Sequence, residues 1–170
     1  MNRSGIFVVI FFVVYLLLQV MLFKQLVLFN TAFCFVYVAF ILLLPIETNL
    51  LVLMGVAFLL GFMVDIFYDS LGLHAMSLVL LAYIRNYWLG TITPQGGYDA
   101  GEGPTLAANG FQWFIVYTLP LIFIHHFVLF FTEAGGFGIF WYTMWKALSS
   151  LVFTTAVIAF LQYFSFDNRR

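Results

Sequence analysis

Two carboxylates, Asp65 and Asp69, lie four residues apart at the end of a long apolar run. On a helix that spacing places both side chains on one face, where they could serve an enzyme embedded in a membrane. Such an enzyme would also need a nucleophile or a metal, and the sequence supplies neither. The other interpretation is a helix terminus, in which Asp69 and Ser70 cap a turn and Gly72 relaxes the backbone. Both interpretations stay open.

The adjacent histidines His125 and His126 could indicate a metal site. Neighbouring side chains on a helix point about 100° apart, so both cannot easily face one ion. No other histidine lies three or four residues away, which favours a core or interface pair. Cys34 is the only cysteine, which excludes an intramolecular disulfide. The sequence has neither Gly-x-Ser-x-Gly nor His-Glu-x-x-His and predicts no catalytic, cofactor-binding or metal-binding residue.

The glycine-rich segment 96–103 could be taken for a phosphate-binding loop. A P-loop ends in Gly-Lys-Ser/Thr, which meets the phosphates and magnesium, whereas this segment is acidic through Asp99 and Glu102. The composition instead favours a flexible connector, or a docking loop for a partner, over 91–110.

The composition excludes a soluble domain. Of 170 residues, 65% are hydrophobic and 8% are charged, whereas soluble domains carry about a quarter charged residues. So few charges cannot cover a surface that faces water, and lipid is the alternative solvent. The apolar runs are continuous rather than alternating, which predicts helices and not a membrane β-barrel. The net charge is −1 and the six basic residues are scattered, so a nucleic-acid footprint is absent from the sequence.

Hydropathy predicts an all-α fold, with a single transmembrane domain over 1–170 that contains about six helices. The first is the retained N-terminal apolar run, which no signal-peptide cleavage site follows. The predicted spans are 5–23, 31–44, 50–67, 73–89, 111–131 and 137–164, and the flexible loop 91–110 joins the fourth to the fifth.

The distribution of lysine and arginine predicts the orientation. Placing both termini in the cytoplasm leaves only Lys24 and Lys146 toward the outside, and it puts the loop 91–110 inside. The basic residues then on the cytoplasmic side are Arg3, Arg85, Arg169 and Arg170.

Counting along the predicted spans places Asp65, His125 and Lys146 at overlapping depths in the outer half of the bilayer. A lone charge there costs at least about 2.5–3.5 kcal/mol, which partners inside the bundle would offset. We therefore predict an intramembrane polar cluster. Its members are Asp65, Lys146 and one of His125 and His126, with Asp69 and His74 near its mouth. The alternative is that Lys146 extends to the interface on its own.

Two further contacts are predicted near the span ends. Arg85 lies close to the inner end of the fourth span and is expected to reach the interface, where it meets Glu47 in the turn before the third span. Ala57 and Gly61 form a small-x-x-x-small pair, which lets another helix approach closely.

The stretch around these residues resembles the rod shape-determining protein MreD family. The shared features are an aliphatic span ending in proline, an apolar span closing on Gly-x-x-x-Asp, and Gly-x-His opening the next span. In this chain they are Leu42 to Pro45, Gly61 to Asp65, and Gly72-Leu73-His74, followed by Tyr83-Ile84-Arg85. The specific motif covers 42–85, while length and span count extend the resemblance over nearly the whole chain.

The resemblance implies a non-catalytic scaffold of the bacterial elongation complex, which maintains cell shape during peptidoglycan biogenesis at the inner membrane. Such subunits bind the bitopic protein MreC and, through it, MreB filaments and RodA with its penicillin-binding-protein partner. The family is similar in architecture to the substrate-binding components of energy-coupling-factor vitamin transporters, and a component of that kind is the alternative function. That class couples through an Ala-x-x-x-Ala-like surface in its first span, and here no small residue follows Gly5 in 5–23.

Overall fold

The computed structural model describes residues 3–98 and 103–167, with side chains at 5–98 and 103–164. Within these ranges the chain forms six α-helices and one short hairpin. The helices are α1 (Arg3–Leu18), α2 (Val38–Leu43), α3 (Leu50–Tyr68), α4 (Leu73–Thr91), α5 (Leu106–Glu133) and α6 (Phe140–Asp167). A π-helical turn, Gln19–Phe23, continues α1. The hairpin pairs β1 (Val27–Leu28) with β2 (Ala32–Phe33) in antiparallel register.

Four helical segments are long and apolar enough to cross a membrane. They are Gly5–Phe23, Leu50–Tyr68, Leu106–Glu133 and Phe140–Phe164. The prediction of an all-α membrane protein with several spans is therefore confirmed at the level of these four. Helix α4 has the same length as α3, but it contains His74, Arg85 and Asn86 and is not among the four. The predicted loop residues 99–102 and the tail residues 168–170 lie outside the described part of the chain.

The predicted helical span 31–44 is wrong over its first half. The chain is helical only at Val38–Leu43, while 31–37 consists of the short strand β2, irregular backbone and a turn. From Cys34 to Leu42 every residue is at most 3% exposed, so this segment runs through the middle of the bundle. Non-helical backbone in an apolar interior is tolerated only where protein groups satisfy its hydrogen bonds.

Hydroxyl groups of α6 supply those hydrogen bonds. The Phe33 N–H donates to Ser150 Oγ at 2.9 Å, and the Phe35 N–H donates to Thr154 Oγ1 at 3.1 Å. The hydroxyls of Ser150 and Thr154 donate in turn to the carbonyls of Thr31 and Phe33 at 3.4 Å. Helix α6 therefore acts toward this segment as a neighbouring strand would, with side chains in place of a backbone ladder.

Gln19 completes the pairing from the opposite side. Its amide nitrogen donates to the Cys34 carbonyl at 3.1 Å, and its amide oxygen accepts the Tyr37 N–H at 3.3 Å. The side chain is fully buried, although it belongs to the helix that has the smallest buried share of the four apolar segments. Gln19 thus ties α1 to the core.

A side chain also replaces the hydrogen bond that Pro120 removes from helix α5. Pro120 has no N–H to donate to the carbonyl of Val116, four residues earlier. The indole N–H of Trp88 on α4 donates to that carbonyl at 3.3 Å. The Val116 carbonyl therefore keeps a hydrogen-bond donor despite the proline, and this bond links α4 to α5.

We expect Thr154→Val to destabilise the folded protein by about 1–3 kcal/mol, since it leaves the buried Phe35 N–H without its acceptor. Thr143→Val is the matched control, because Thr143 is also buried on α6, but among the described residues its hydroxyl bonds the carbonyl of Ile139, directly before that helix. The measurement is the free energy of unfolding of the detergent-solubilised protein. Equal losses in the two variants would contradict the side-chain ladder.

Candidate functional site

Asp65, near the end of α3, caps the beginning of α4. Its carboxylate accepts the His74 N–H at 3.0 Å and the Ala75 N–H at 2.9 Å. These are first-turn N–H groups, which lack partners within their own helix, and Gly72 at the N-cap offers them no side chain. A helix N-terminus also carries a partial positive charge. The carboxylate, only 5% exposed, is therefore stabilised by the backbone N–H groups of a helix N-terminus.

Gly61 brings the two helices close enough for this cap. A Cβ atom at position 61 would lie 2.4 Å from the Cα of Ala75, so only glycine permits the approach. Gly61 lies one turn before Asp65 on the same face of α3, and Ala57, one turn earlier still, is also fully buried. The Gly-x-x-x-Asp spacing thus combines a close contact with a cap at a single helix junction.

Ser70 and His74 share the same carboxylate oxygen. The Ser70 hydroxyl donates to Asp65 Oδ1 at 2.7 Å, and His74 Nδ1 lies 3.0 Å from that oxygen and 2.9 Å from Ser70 Oγ. Serine, histidine and aspartate are the residues of a hydrolase triad, but there the serine meets Nε2 and the aspartate meets Nδ1. Here both meet Nδ1, and the serine proton is directed at the carboxylate. The geometry therefore differs from that of a hydrolase triad, and the Ser70 hydroxyl adds a further donor to the cap.

The two adjacent histidines lie in a second buried group. Tyr37 Oη is 2.8 Å from His125 Nε2, the two Nδ1 atoms are 3.2 Å apart, and His126 Nε2 is 3.1 Å from Thr154 Oγ1. Because Thr154 donates to the Phe33 carbonyl, the consistent direction runs from the Tyr37 hydroxyl through both neutral rings to Thr154. Every imidazole nitrogen of the pair has a protein partner in this arrangement, as expected of a core pair.

Phe35 and Tyr37 bring the two polar groups together. The Phe35 ring centroid lies 5.6 Å from that of His74 and 5.2 Å from that of His126. Tyr37 lies 5.8 Å from His74 and 5.6 Å from His125. The structure thus gathers four of the predicted cluster residues around the non-helical segment. These four are Asp65, His74, His125 and His126.

Lys146 belongs elsewhere, and the predicted pairing of Lys146 with Asp65 is wrong. Its ammonium is 2.8 Å from Glu133 Oε2 and lies over the rings of Phe33 and Phe130, 4.7 and 4.3 Å from their centroids. Glu133 ends α5, and the short connection to α6 brings it within reach of the lysine. Asp65 does not need the ammonium, since a helix terminus already stabilises its charge.

Asp69 lies at the mouth of the junction, as a turn residue. It ends α3 in the left-handed conformation, with φ of 53°, and its backbone N–H donates to the Asp65 carbonyl. Its side chain is exposed, and the ion pairs among the described side chains do not include it. Asp69 therefore keeps a free carboxylate beside the buried one.

Arg85 is fully buried and does not pair with Glu47, so this prediction is also wrong. Its guanidinium donates to the carbonyls of Leu44 and Pro45 and, through Nε, to Tyr117 Oη at 2.8 Å. These carbonyls follow the end of α2, which Pro45 cannot continue as a helix. A cation is favoured at the negative end of a helix. Glu47 is exposed in the turn that follows.

Helices α3 and α4 also border an open groove of about 890 Å³ on the outside of the bundle. It extends from Met54 and Tyr83 to the α3–α4 turn, where Asp65, Asp69 and Ser70 form its polar end. Its walls are otherwise apolar and include Phe58, Phe62, Met76 and Val79.

Five of the polar side chains described above were among those that the sequence did not predict. Ser150 and Thr154 were detectable, because they lie four residues apart on one face of an apolar helix. Glu133 lies just beyond the predicted span 111–131, where a charged residue is expected whatever its partner. Gln19 and Tyr117 gave no signal, since a single polar atom in an apolar run does not indicate its partner.

Comparison with known proteins finds no family model, curated protein or solved structure that matches the chain. The resemblance to MreD therefore rests on the motif at 42–85 and on the pattern of apolar segments.

We expect Gly61→Ala to destabilise the protein by about 1–3 kcal/mol, because the new methyl group overlaps the backbone of Ala75. Gly55→Ala is the matched control on the same helix, since nothing lies within 4 Å of a Cβ there. The control should be neutral or stabilise by up to about 1 kcal/mol through helix propensity. Unfolding of both variants in detergent checks the difference, and equal stability would contradict the close contact.

A double-mutant cycle distinguishes the observed pairing of Asp65 from the predicted one. Asp65→Asn and Lys146→Met should be additive within about 0.5 kcal/mol, because their partners differ. Asp65→Asn and Ser70→Ala share a hydrogen bond and should couple by about 0.5–3 kcal/mol. The free energies of unfolding of the single and double variants give both values. Coupling to Lys146 without coupling to Ser70 would reverse the assignment.

Proposed function

We propose that the chain is a non-catalytic membrane subunit of the bacterial elongation complex, similar to MreD, which scaffolds the cell-wall synthases and maintains cell shape. The observation that supports this proposal is the α3–α4 junction. Gly61, Asp65 and His74, the residues of the motif that resembles the MreD family, meet there at a single point. Their hydrogen bonds and their close contact join two helices, which supports a scaffold.

The roles of the other buried polar groups agree with a scaffold. Arg85 satisfies the end of α2, and Thr154 satisfies the non-helical segment. The histidine pair is held between Tyr37 and Thr154. Each of these groups fixes the shape of the bundle, and the open groove between α3 and α4 is an external surface. Such an architecture supports a role through helix contacts.

The proposed topology has six crossings in the bacterial inner membrane, with both termini in the cytoplasm. Besides the four apolar segments, the crossings are α4 and the buried segment 31–44, whose backbone bonds are satisfied internally. Residues 45–49, 92–98 and 103–105 then lie on the cytoplasmic side, where Arg85 is nearby. Residues 69–72 and 134–139 lie outside.

The proposed direct partner is an MreC-type bitopic protein, in addition to membrane lipid. Through that partner the chain would connect indirectly to MreB filaments and to RodA with its penicillin-binding-protein partner. The alternative is the substrate-binding component of an energy-coupled vitamin transporter. The exposed side chains of α1 are large, among them Phe7, Val9 and Phe11, which does not favour the small-residue coupling surface of that class.

Depletion of the chain in its own cells, combined with purification from gently solubilised membranes, tests the proposal. We expect depleted cells to lose their rod shape and the tagged chain to retain an MreC-type protein and the synthases. A tagged membrane protein of similar size and unrelated function controls for non-specific retention. Normal cell shape together with retention of an ATPase module would contradict the scaffold and support the transporter.

A further inference from the structure

We infer that the groove between α3 and α4 binds one transmembrane helix of a partner protein, whose extracytoplasmic end carries a lysine or an arginine. The inference rests on the proposed function, from which it takes the orientation of the chain. It adds the place of contact and the chemistry of the partner.

The groove has the length and the lining that a helix needs. On α3 its lining residues follow one another at intervals of three and four, from Met54 through Phe58 and Phe62 to Asp69. This stretch is about 22 Å long at 1.5 Å per residue, which is most of a hydrocarbon core of about 30 Å. Ridges spaced three and four residues apart are the surface into which the side chains of another helix pack.

Helix α4 provides the second wall with the same periodicity. Its lining residues include Ala75, Val79 and Tyr83, at intervals of four, with Met76 and Leu80 beside them. Near the α3–α4 turn the lining includes the small residues Gly72 and Ala75. Small residues allow the backbone of another helix to approach closely. The groove therefore offers two helical walls and, at the turn, small residues that permit close contact.

The charge at this end specifies the partner. Asp69 is exposed and lies outside the ion pairs formed by the described side chains, and the nearby Lys24 donates to the Phe67 carbonyl. Asp65 is already satisfied by the start of α4. The free carboxylate of Asp69 thus favours a cation at the outer end of the bound helix. A second copy bound symmetrically through this groove would place two Asp69 carboxylates together, which opposes self-association.

Site-specific photocrosslinking in living cells tests the inference. A photoreactive amino acid is placed at Phe58 and at Val79 in the groove, and at Val152, which is 68% exposed on α6, as the control. We expect both groove positions, and not position 152, to crosslink to the same transmembrane helix. Mass spectrometry of the adduct should locate a lysine or arginine at its outer end.

A charge exchange tests the contact with Asp69. Asp69→Lys should lower the adduct yield about two- to five-fold, the range for an exposed ion pair, and replacing the partner's basic residue with glutamate should restore it. Adducts with lipid alone, with a second copy of the chain, or with a helix that lacks an outer cation would overturn the inference. So would a yield that Asp69→Lys leaves unchanged.

These outcomes can be separated from failure of the proposed function. A charge-exchanged adduct with a protein unrelated to cell-wall synthesis would leave the groove assignment standing and remove the elongation-complex proposal. Retention of an MreC-type protein on purification, with no groove adduct, would remove the groove assignment and leave the elongation-complex proposal standing.

Discussion

The structure depends on one constraint: no backbone hydrogen-bonding group can remain unpaired in an apolar interior. Three charged side chains, of which Asp65 and Arg85 are buried and Lys24 is exposed, pair with backbone groups at helix ends. Asp65 accepts the first N–H groups of α4, Arg85 donates to the carbonyls that follow α2, and Lys24 donates to a carbonyl at the end of α3. Each sign matches the helix dipole, with the anion at an N-terminus and the cations at C-termini. Their energetic cost is therefore reduced by the fold itself.

The same constraint explains how a non-helical segment passes through the core. Residues 31–37 lack a helical hydrogen-bond pattern, and hydroxyls of α6 together with the Gln19 amide replace it. The segment in turn places Phe35 and Tyr37 between the histidines. Polar atoms of α6 thus determine where aromatic rings of a distant segment lie. The Thr154 hydroxyl contacts both the Phe35 N–H and His126, so it couples the backbone pairing to the histidine pair.

The sequence predicted the long helices well, because continuous apolar runs of sufficient length specify them locally. It failed at 31–44, since an apolar run can be a buried irregular segment once another helix supplies hydrogen bonds. It also failed for Lys146 and Arg85, because each charge was paired with an opposite charge at a similar predicted depth. Glu133 and the α2 carbonyls were closer partners, and their positions depend on tertiary structure. Asp65 and His74 were grouped correctly because both lie beside the same tight turn.

The α3–α4 junction links this internal bonding to the proposed external function. Gly61 fixes the distance between the helices and Asp65 fixes the start of α4, so the walls of the groove are held in place before any partner binds. A preformed surface loses less conformational entropy on association than a flexible one. The motif residues need not touch a partner in order to control its binding. A substitution at Gly61 would then act at a distance, by changing the width of the groove, whereas one at Asp69 would act by direct contact.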